Sequence, residues 1–563
     1  MKQDIRYLVR RWIVLLAGLT GFAGEGWSEG LSGVVADAQG NRLEGVMVSL
    51  VDRSERRFTT RFSDENGVFR FERLAADEAA VRVRLPGFAD RLLPLDATSP
   101  TLDVVLQPAS QEQLLQQLPA HVWAERVGKT NDRVRREFRI QCMMCHQQGY
   151  PHARWPKNRE QWYSVYERMA HKSALLTRET RETMADALLK AYDTGGGLGM
   201  PRIPAAPSGK ATEVEISEWR LDSPTASMHD VAVGPDGKIY GVDTVGSNIW
   251  RLDPQTSQIE TLDHLYPGNR GDSPLLLHTV FQAPDGKMWF TYALGNLIAS
   301  LDVRTGTMKV HEISYFDGIY PHTMRFDQDG QIWFTVALTN QLGTIDPDTD
   351  EVVLYDMPTR NVWQSLATWP PVTGLLFWAQ QKFDIVRSYY DELLPVAYGI
   401  DVTPDGKIWF SQFNNRRIGS FDKKTGTFEM VDTPFGGPRR FRSDSRGVLW
   451  IPAFTDGLVY RYNPAAKQFT PYDMPTGPGD STYALAVDPR DDTIWACGSN
   501  SDTMMHLLPA TGEVVTYQLP THVTFCREIS FAADGSVWTS YSNYPSASIE
   551  GGSSAFVRIK PLD

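Results

Sequence analysis

Between Val233 and Thr539 one short phrase recurs seven times. It reads "VGPDGKIYG", "QAPDGKMWF", "FDQDGQIWF", "VTPDGKIWF", "SDSRGVLWI", "DPRDDTIWA" and "FAADGSVWT". Each copy is a polar turn, with a Gly in all but the sixth, leading into an apolar run, the mark of a hairpin. After most copies comes a second turn, as in "IASLDVRTG", "LGTIDPDTD" and "IGSFDKKTG", and then a strand ending in "DMPT" or "QLPT". Four short strands repeated about every forty residues cannot bury their faces singly, and stack radially as a β-propeller. The seventh copy ends at "SAFVRIKPLD" and lacks an outer strand, whereas "EVEISEWRLDSP", Glu213 to Pro224, has the pattern of one. Residues 213–563 are therefore expected to form a seven-bladed ring closed by its own N-terminal strand, which would remove the free edges.

The repeat also sets a register. The position seven residues before the turn is His229, His278, His322, Tyr398, Arg439, Tyr483 and Arg527 in successive copies. These residues are expected to ring the channel at the start of the innermost strands, as a candidate catalytic site. Imidazoles there can bind a transition metal or exchange protons, and guanidiniums can hold an anion. The plainer alternative is a polar lining for a watery channel. Between the third and fourth copies, residues 360–395 form an aromatic insertion expected to overhang this mouth as a lid, a wall or a docking surface. Lys382, Asp384, Arg387, Asp391 and Glu392 exclude it as a membrane span.

All seven copies resemble the virginiamycin B (streptogramin) lyase family. The resemblance implies a propeller, and a lyase reaction in which glutamates of a "WFTE" phrase help hold magnesium near a catalytic His. Here the matching positions are Tyr292, Val336, Gln412, Ala453, Gly498 and Tyr541, with only Asp243 acidic. Magnesium needs oxygen ligands, so the lyase reaction is in doubt. His229, His278 and His322 are the candidates to match the family's His.

Ahead of the ring, residues 111–200 change period. "EQLLQQLPAHVWAERV", "NREQWYSVYERMAHK" and "TRETRETMADALLKAYD" are helical in spacing. Among them stands "CMMCH", Cys142, Cys145 and His146, the attachment signature of c-type haem. Two sulfurs on one helical turn would fix the porphyrin, and His146 would supply the proximal iron ligand. Zinc usually takes two such pairs, and a redox dithiol expects a βαβ surround; neither condition holds. The stretch "W..V..RM" before the next helix resembles small class I-like cytochromes c, which implies Met169 as the sixth ligand. Met200, in "GLGMP", is the second choice, with His171 and Met184 as further candidates. Residues 201–212 read as a Gly/Pro-broken linker.

Residues 31–107 alternate apolar and polar residues around "AQGNRLEG" and "DENG" turns, a β-sandwich pattern. "GVV.D..G..LEGV.V.L", "T..D.NG.F.F..L" and "PGF" resemble the carboxypeptidase regulatory-like (transthyretin-like) domain. No His, Cys or carboxylate cluster marks it, so a spacer or docking role is expected. Residues 1–23 combine Lys2, Arg6, Arg10 and Arg11 with a short apolar run, and read as a signal peptide cleaved on the general secretion route. In the oxidising compartment this implies, Cys497 and Cys526 can pair. The net charge of −12 excludes nucleic acid and an anionic membrane surface as expected partners.

The expected fold is mainly β: a transthyretin-like sandwich, a small helical cytochrome c module and a seven-bladed propeller. The expected function is that of an exported, periplasmic oxidoreductase with one covalent haem c. A small, anionic organic substrate would react at the mouth, and electrons would leave to a soluble carrier. A second metal at the mouth is a subsidiary expectation, and no transmembrane span is expected after signal cleavage. The alternatives are a streptogramin lyase with accessory haem, and electron transfer or binding without catalysis.

Overall fold

The computed structural model describes residues 28–96, 99–129, 131–170, 174, 176–262, 275–383 and 393–562. The predicted signal peptide, the candidate ligand His171 and part of the insertion lie outside them. No helix among the described residues is long and apolar enough to cross a membrane.

Six four-stranded antiparallel sheets follow one another from Met228–Val233 to Glu513–Gln518, each in simple meander order. A seventh is built from Ser530–Phe531, Val537–Ser540 and Ala555–Pro561, with Val214–Arg220 as its outer strand. The closure expected from the repeats is present, with Ala555 to Pro561 paired antiparallel to Arg220 to Val214. The repeated aromatic, as in Trp289, Trp333, Trp409, Trp450, Trp495 and Trp538, is buried. Large rings at these positions pack successive sheets together, each blade contributing to its neighbour's core.

The closing strand does more than close. Its other edge pairs with Arg57–Phe62 of the N-terminal domain, Arg57 opposite Trp219 and Thr60 opposite Ile216. Four strands of that domain thereby extend the seventh blade into one eight-stranded sheet. A three-stranded sheet of Val68–Leu74, Ser28–Asp37 and Val104–Leu106 packs over them on a core that includes Val35, Leu50, Phe69 and Val83. The sandwich is as expected, but it is no loosely tethered spacer. An edge strand that offers unpaired backbone groups is a template for another strand, and here both candidates come from the same chain. Arg84 adds a two-pronged ion pair to Glu550 at 2.9 and 2.7 Å and donates to the Pro520 carbonyl at 2.6 Å.

Among the described residues between sandwich and ring lie five α-helices: α1 (Gln111–Gln117), α2 (Ala120–Gly128), α3 (Asp132–Glu137), α4 (Arg159–Ala170) and α5 (Arg178–Tyr192). Ser110 and Thr177 cap α1 and α5 by accepting from backbone N–H groups of the first turn. Their shared core holds Trp123, Phe138, Trp162, Tyr166, Met184 and Tyr192. The stretch after them is less free than its composition suggests. Gly209 N–H donates to Glu44 at 2.8 Å. Arg202, Pro204 and Pro207 of the same stretch help line a cavity of about 1170 Å3 between α2, α5 and the sixth blade.

The insertion forms α6 (Val362–Thr368) and α7 (Pro370–Phe383). Gln364 and Arg360 bond to Asn415 on the rim of the fourth blade, and Arg360 pairs with Asp432. Trp363, Trp369 and Trp378 remain 56–69% exposed. The described part thus sits on the rim, and what covers the mouth is a loop of the helical module.

Candidate functional site at the propeller mouth

The seven register positions do converge. His229 packs against His278 with ring centroids 3.9 Å apart, His278 against His322 at 4.0 Å, and His322 against Tyr398 at 4.2 Å, the planes tilted by 39°, 43° and 51°. Tyr398 donates its hydroxyl to Tyr483 at 2.6 Å. The guanidinium of Arg439 lies 3.8 Å above the Tyr483 ring and that of Arg527 4.8 Å from it. All seven side chains are buried.

A second layer lies directly beneath, and it was missed at the sequence level. In the second blade Leu277 and Val280 face Tyr292 and Phe290, three residues of the inner strand spanning two of its neighbour. The same bulge recurs at Pro321–Met324, Ala397–Ile400 and Thr482–Leu485. A bulge interrupts strict alternation, so a ring residue and its successor can both reach the channel. The successors include Asp230, Thr279, Arg440 and Glu528. Arg440 donates to both oxygens of Asp230 at 2.7 and 2.8 Å, to Glu528 at 2.8 Å and to His278 Nδ1 at 3.2 Å. Glu528 also receives Arg442 at 2.5 Å. The visible signal was a charge directly after three of the seven ring residues, in "MHDVAV", "PRRFRS" and "FCREIS".

Burial and the surrounding guanidiniums hold His229 well below its usual pKa. Burial and like-charge neighbours do the same for His278 and His322. Burial raises Tyr398. Burial would raise Tyr483 too, but Arg527, Arg439 and Arg440 outweigh it and draw its phenol down. The imidazoles spend Nδ1 on neighbouring residues: His229 on Asp230 at 2.7 Å and His322 on Thr323 at 2.7 Å. They pack side by side in a row, and no group of three His, Cys, Asp or Glu side chains among the described residues could hold a metal ion. The positions matching the lyase glutamates have structural work instead. Gln412 donates to Asn340 and to the Pro358 carbonyl, both at 2.9 Å, Tyr541 bonds Glu218, and Asp243 accepts backbone N–H groups of Ser227 and Val245.

A recurring clamp ties the ring together. The hydroxyl two residues after the repeated aromatic bonds a ring carbonyl of the next blade: Thr291 to His322 at 3.0 Å, Thr335 to Tyr398 at 3.0 Å and Ser411 to Arg439 at 3.3 Å. In the sixth blade that position is Cys497, and it forms a disulfide with Cys526, the residue before Arg527.

The C-x-x-C-H stretch sits on this ring, though not on one helical turn. A wide turn over Phe138–Cys142 ends the helix, and Met143 leaves it at φ −100° and ψ 9°. Cys145 and His146 follow in irregular chain. Ile140 and Met144 pack with Tyr398, Phe413, Phe454 and Tyr483. The Cys145 carbonyl accepts from Arg527 at 3.1 Å and from Tyr544 N–H at 2.9 Å. Arg139 donates to the carbonyls of Phe454 and Pro478, and Gln147 to Asp502 at 2.7 Å. Neither Cys142 nor Cys145 is in a disulfide. Cys142 packs on the module core, where burial pushes its thiol up to about 12. Burial lowers His146, whose Nδ1 lies 2.9 Å from the Gln147 carbonyl. The Gln148 side-chain amide nitrogen lies 3.2 Å from the same Nδ1. Around this core, Trp123 Nε1, Trp162 Nε1, Tyr166 Oη, Tyr192 Oη, Arg154 Nε and Arg181 Nε are buried without partners. Met169 is half-buried on α4, Met184 fully buried, and Met200 half-buried and 3.7 Å from Gln111 Nε2.

Residues 30–107 match the carboxypeptidase regulatory-like domain family. The match covers the sandwich and no more. No curated protein matches the chain. Among solved structures, a streptogramin B lyase is 19% identical with a TM-score of 0.49, covering 63% of this chain and 99% of that one. Virginiamycin B lyase from Staphylococcus aureus is 17% identical with a TM-score of 0.48, covering 62% and 99%. The Cps50 (Swd1) β-propeller domain of Myceliophteria thermophila is 13% identical with a TM-score of 0.43, covering 62% and 100%. The propeller assignment rests on the seven sheets themselves.

Proposed function

We propose that this chain is an exported, periplasmic c-type cytochrome oxidoreductase whose substrate reacts at the propeller mouth. The helical module is read as a cytochrome c. Haem c would be held by Cys142 and Cys145, with His146 as proximal ligand and Met169 as sixth. When bound, such a haem supplies a one-electron acceptor of raised potential, from which a soluble carrier would collect electrons. The observation that carries the reading is the seating of the attachment loop on the ring, through Cys145 O to Arg527 and through Ile140 and Met144.

The chain's own residues suit these roles. His146 has its Nδ1 engaged by the Gln147 carbonyl and the Gln148 side chain, which leaves Nε2 for coordination, in keeping with the second-nitrogen contacts that metal-bound histidines generally make. The unpartnered Trp, Tyr and Arg donors beside Cys142 suit the carboxylates of a porphyrin, since buried donors are normally paired. At the mouth, neutral imidazoles and the Tyr398–Tyr483 pair can orient a polar substrate and pass a proton. The lyase reading has no comparable support, because the lyase-glutamate positions are occupied by residues with other partners.

The test is the exported protein itself. It should retain haem through acidic organic extraction, and Cys142→Ala with Cys145→Ala should lose it. Met169→Ala should change the haem spectrum and potential while attachment persists. Absence of covalent haem in protein matured with a competent attachment system would end the reading. An unchanged spectrum in Met169→Ala would move the sixth ligand elsewhere.

A further inference from the structure

Arg439 and Arg440 are adjacent, fully buried and treated in opposite ways. Arg440 is neutralised by Asp230 and Glu528. Arg442 has Glu528, and Arg527 donates to the carbonyls of Ser542 and Cys145. Arg439 is 0% exposed, and its Nε, Nη1 and Nη2 have no hydrogen-bond partner. It rests between the rings of Tyr483 and Phe454, at 3.8 and 4.0 Å, with Tyr398 at 4.9 Å and Phe413 at 5.2 Å.

Ring faces stabilise a cation, but they do not replace the hydrogen bonds of a guanidinium taken out of water. Five N–H donors in a planar fork match a carboxylate two at a time. We propose that Arg439 receives a carboxylate at the propeller mouth, carried on an apolar or aromatic body that the surrounding rings accept. This rests on the reading of the mouth as a substrate site, and it picks out one of the ring arginines as the anion receptor. The helical module has its own unpartnered donors for a porphyrin's carboxylates, so a free ligand is the favoured source. Ile140 and Met144 cover the box, so the loop from Arg139 to Gln148 must lift for entry.

Benzoate is the probe, with benzyl alcohol as its uncharged match, read by thermal unfolding and calorimetry on the intact haem-bearing protein. Benzoate at a hundredfold excess over its dissociation constant should raise the wild-type melting temperature by about 2–4 °C, and benzyl alcohol should not. Arg439→Met should abolish the response and, without benzoate, be at least as stable as wild type. Arg439→Lys, which keeps charge but loses the fork, should bind benzoate about tenfold more weakly. If benzoate has no effect but Arg439→Met shifts the haem midpoint potential, the carboxylate is a haem propionate. With neither response, or with Arg439→Met unstable and Arg439→Lys binding as wild type, the assignment is overturned. Because binding is read without any electron transfer, it can hold even if no substrate reduces the haem.

Discussion

The mouth layer and the layer beneath it are built from neighbouring residues of the same strands, yet their chemistry is opposed. Below, Arg440, Asp230, Glu528 and Arg442 form a closed ionic network. Above, Arg439 sits among aromatic rings with no anion. Charge that is fully paired rigidifies a channel; charge left unpaired in a closed box is a demand on something that enters it. The lower layer is scaffold, and the upper layer is where the proposed chemistry is placed.

Breaking the lower layer should have the largest effect. Arg440→Met leaves Asp230 buried beside an apolar group and takes one partner from Glu528. Removing one member of a buried pair costs about 3–5 kcal/mol. Urea unfolding of Arg440→Met should therefore show a loss of that order, whereas Arg439→Met, one residue away, should show none. Equal losses for both would erase the distinction between layers.

The disulfide comes next. Cys497 and Cys526 are 29 residues apart, and Cys497 stands where the second, third and fourth blades carry the clamping hydroxyl. Cross-linking a loop of that length restricts the unfolded chain by about 3–4 kcal/mol in the chain-entropy account. The double replacement Cys497→Ser, Cys526→Ala should lose somewhat less than this if the introduced hydroxyl restores the clamp of the other blades. It should also raise hydrogen exchange around Thr524 and Arg527, in the mouth layer, more than around Asp230. A uniform rise would mean that the bond stabilises the ring as a whole.

Legibility followed the physics of each element. The mouth ring could be read because a tight turn fixes the register of the hairpin it joins, so counting back from one turn locates a residue in every blade. The lower layer could not be counted, because strict alternation sends the residue after His229 or Arg439 away from the channel, and a bulge brings it back. The closing strand was readable as an outer strand by pattern and by the vacancy in the last repeat. Its second partner, Arg57–Phe62, was not, since both edges of such a strand look alike in sequence. The spacing of "CMMCH" suggests a haem-attachment reading, but the end of its helix at Cys142 depends on contacts with Phe454, Pro478 and Arg527, remote in the chain.

The smallest effect is a slope. His229, His278 and His322 are held below their ordinary pKa in the folded ring, so each stays neutral while the unfolded chain takes up a proton near pH 6.5. The unfolded state then binds more protons, and stability falls as pH drops below about 6.5, by about 1.4 kcal/mol per pH unit for each histidine. His278→Gln should reduce the slope of unfolding free energy between pH 6 and pH 5 by about that amount and leave it unchanged above pH 7. His278 is the sharpest choice because Arg440 donates to its Nδ1, which joins the two layers. If the slope stays the same in His278→Gln, that imidazole is protonated in the folded ring, and the upper layer is not the low-proton environment that its burial among three arginines implies.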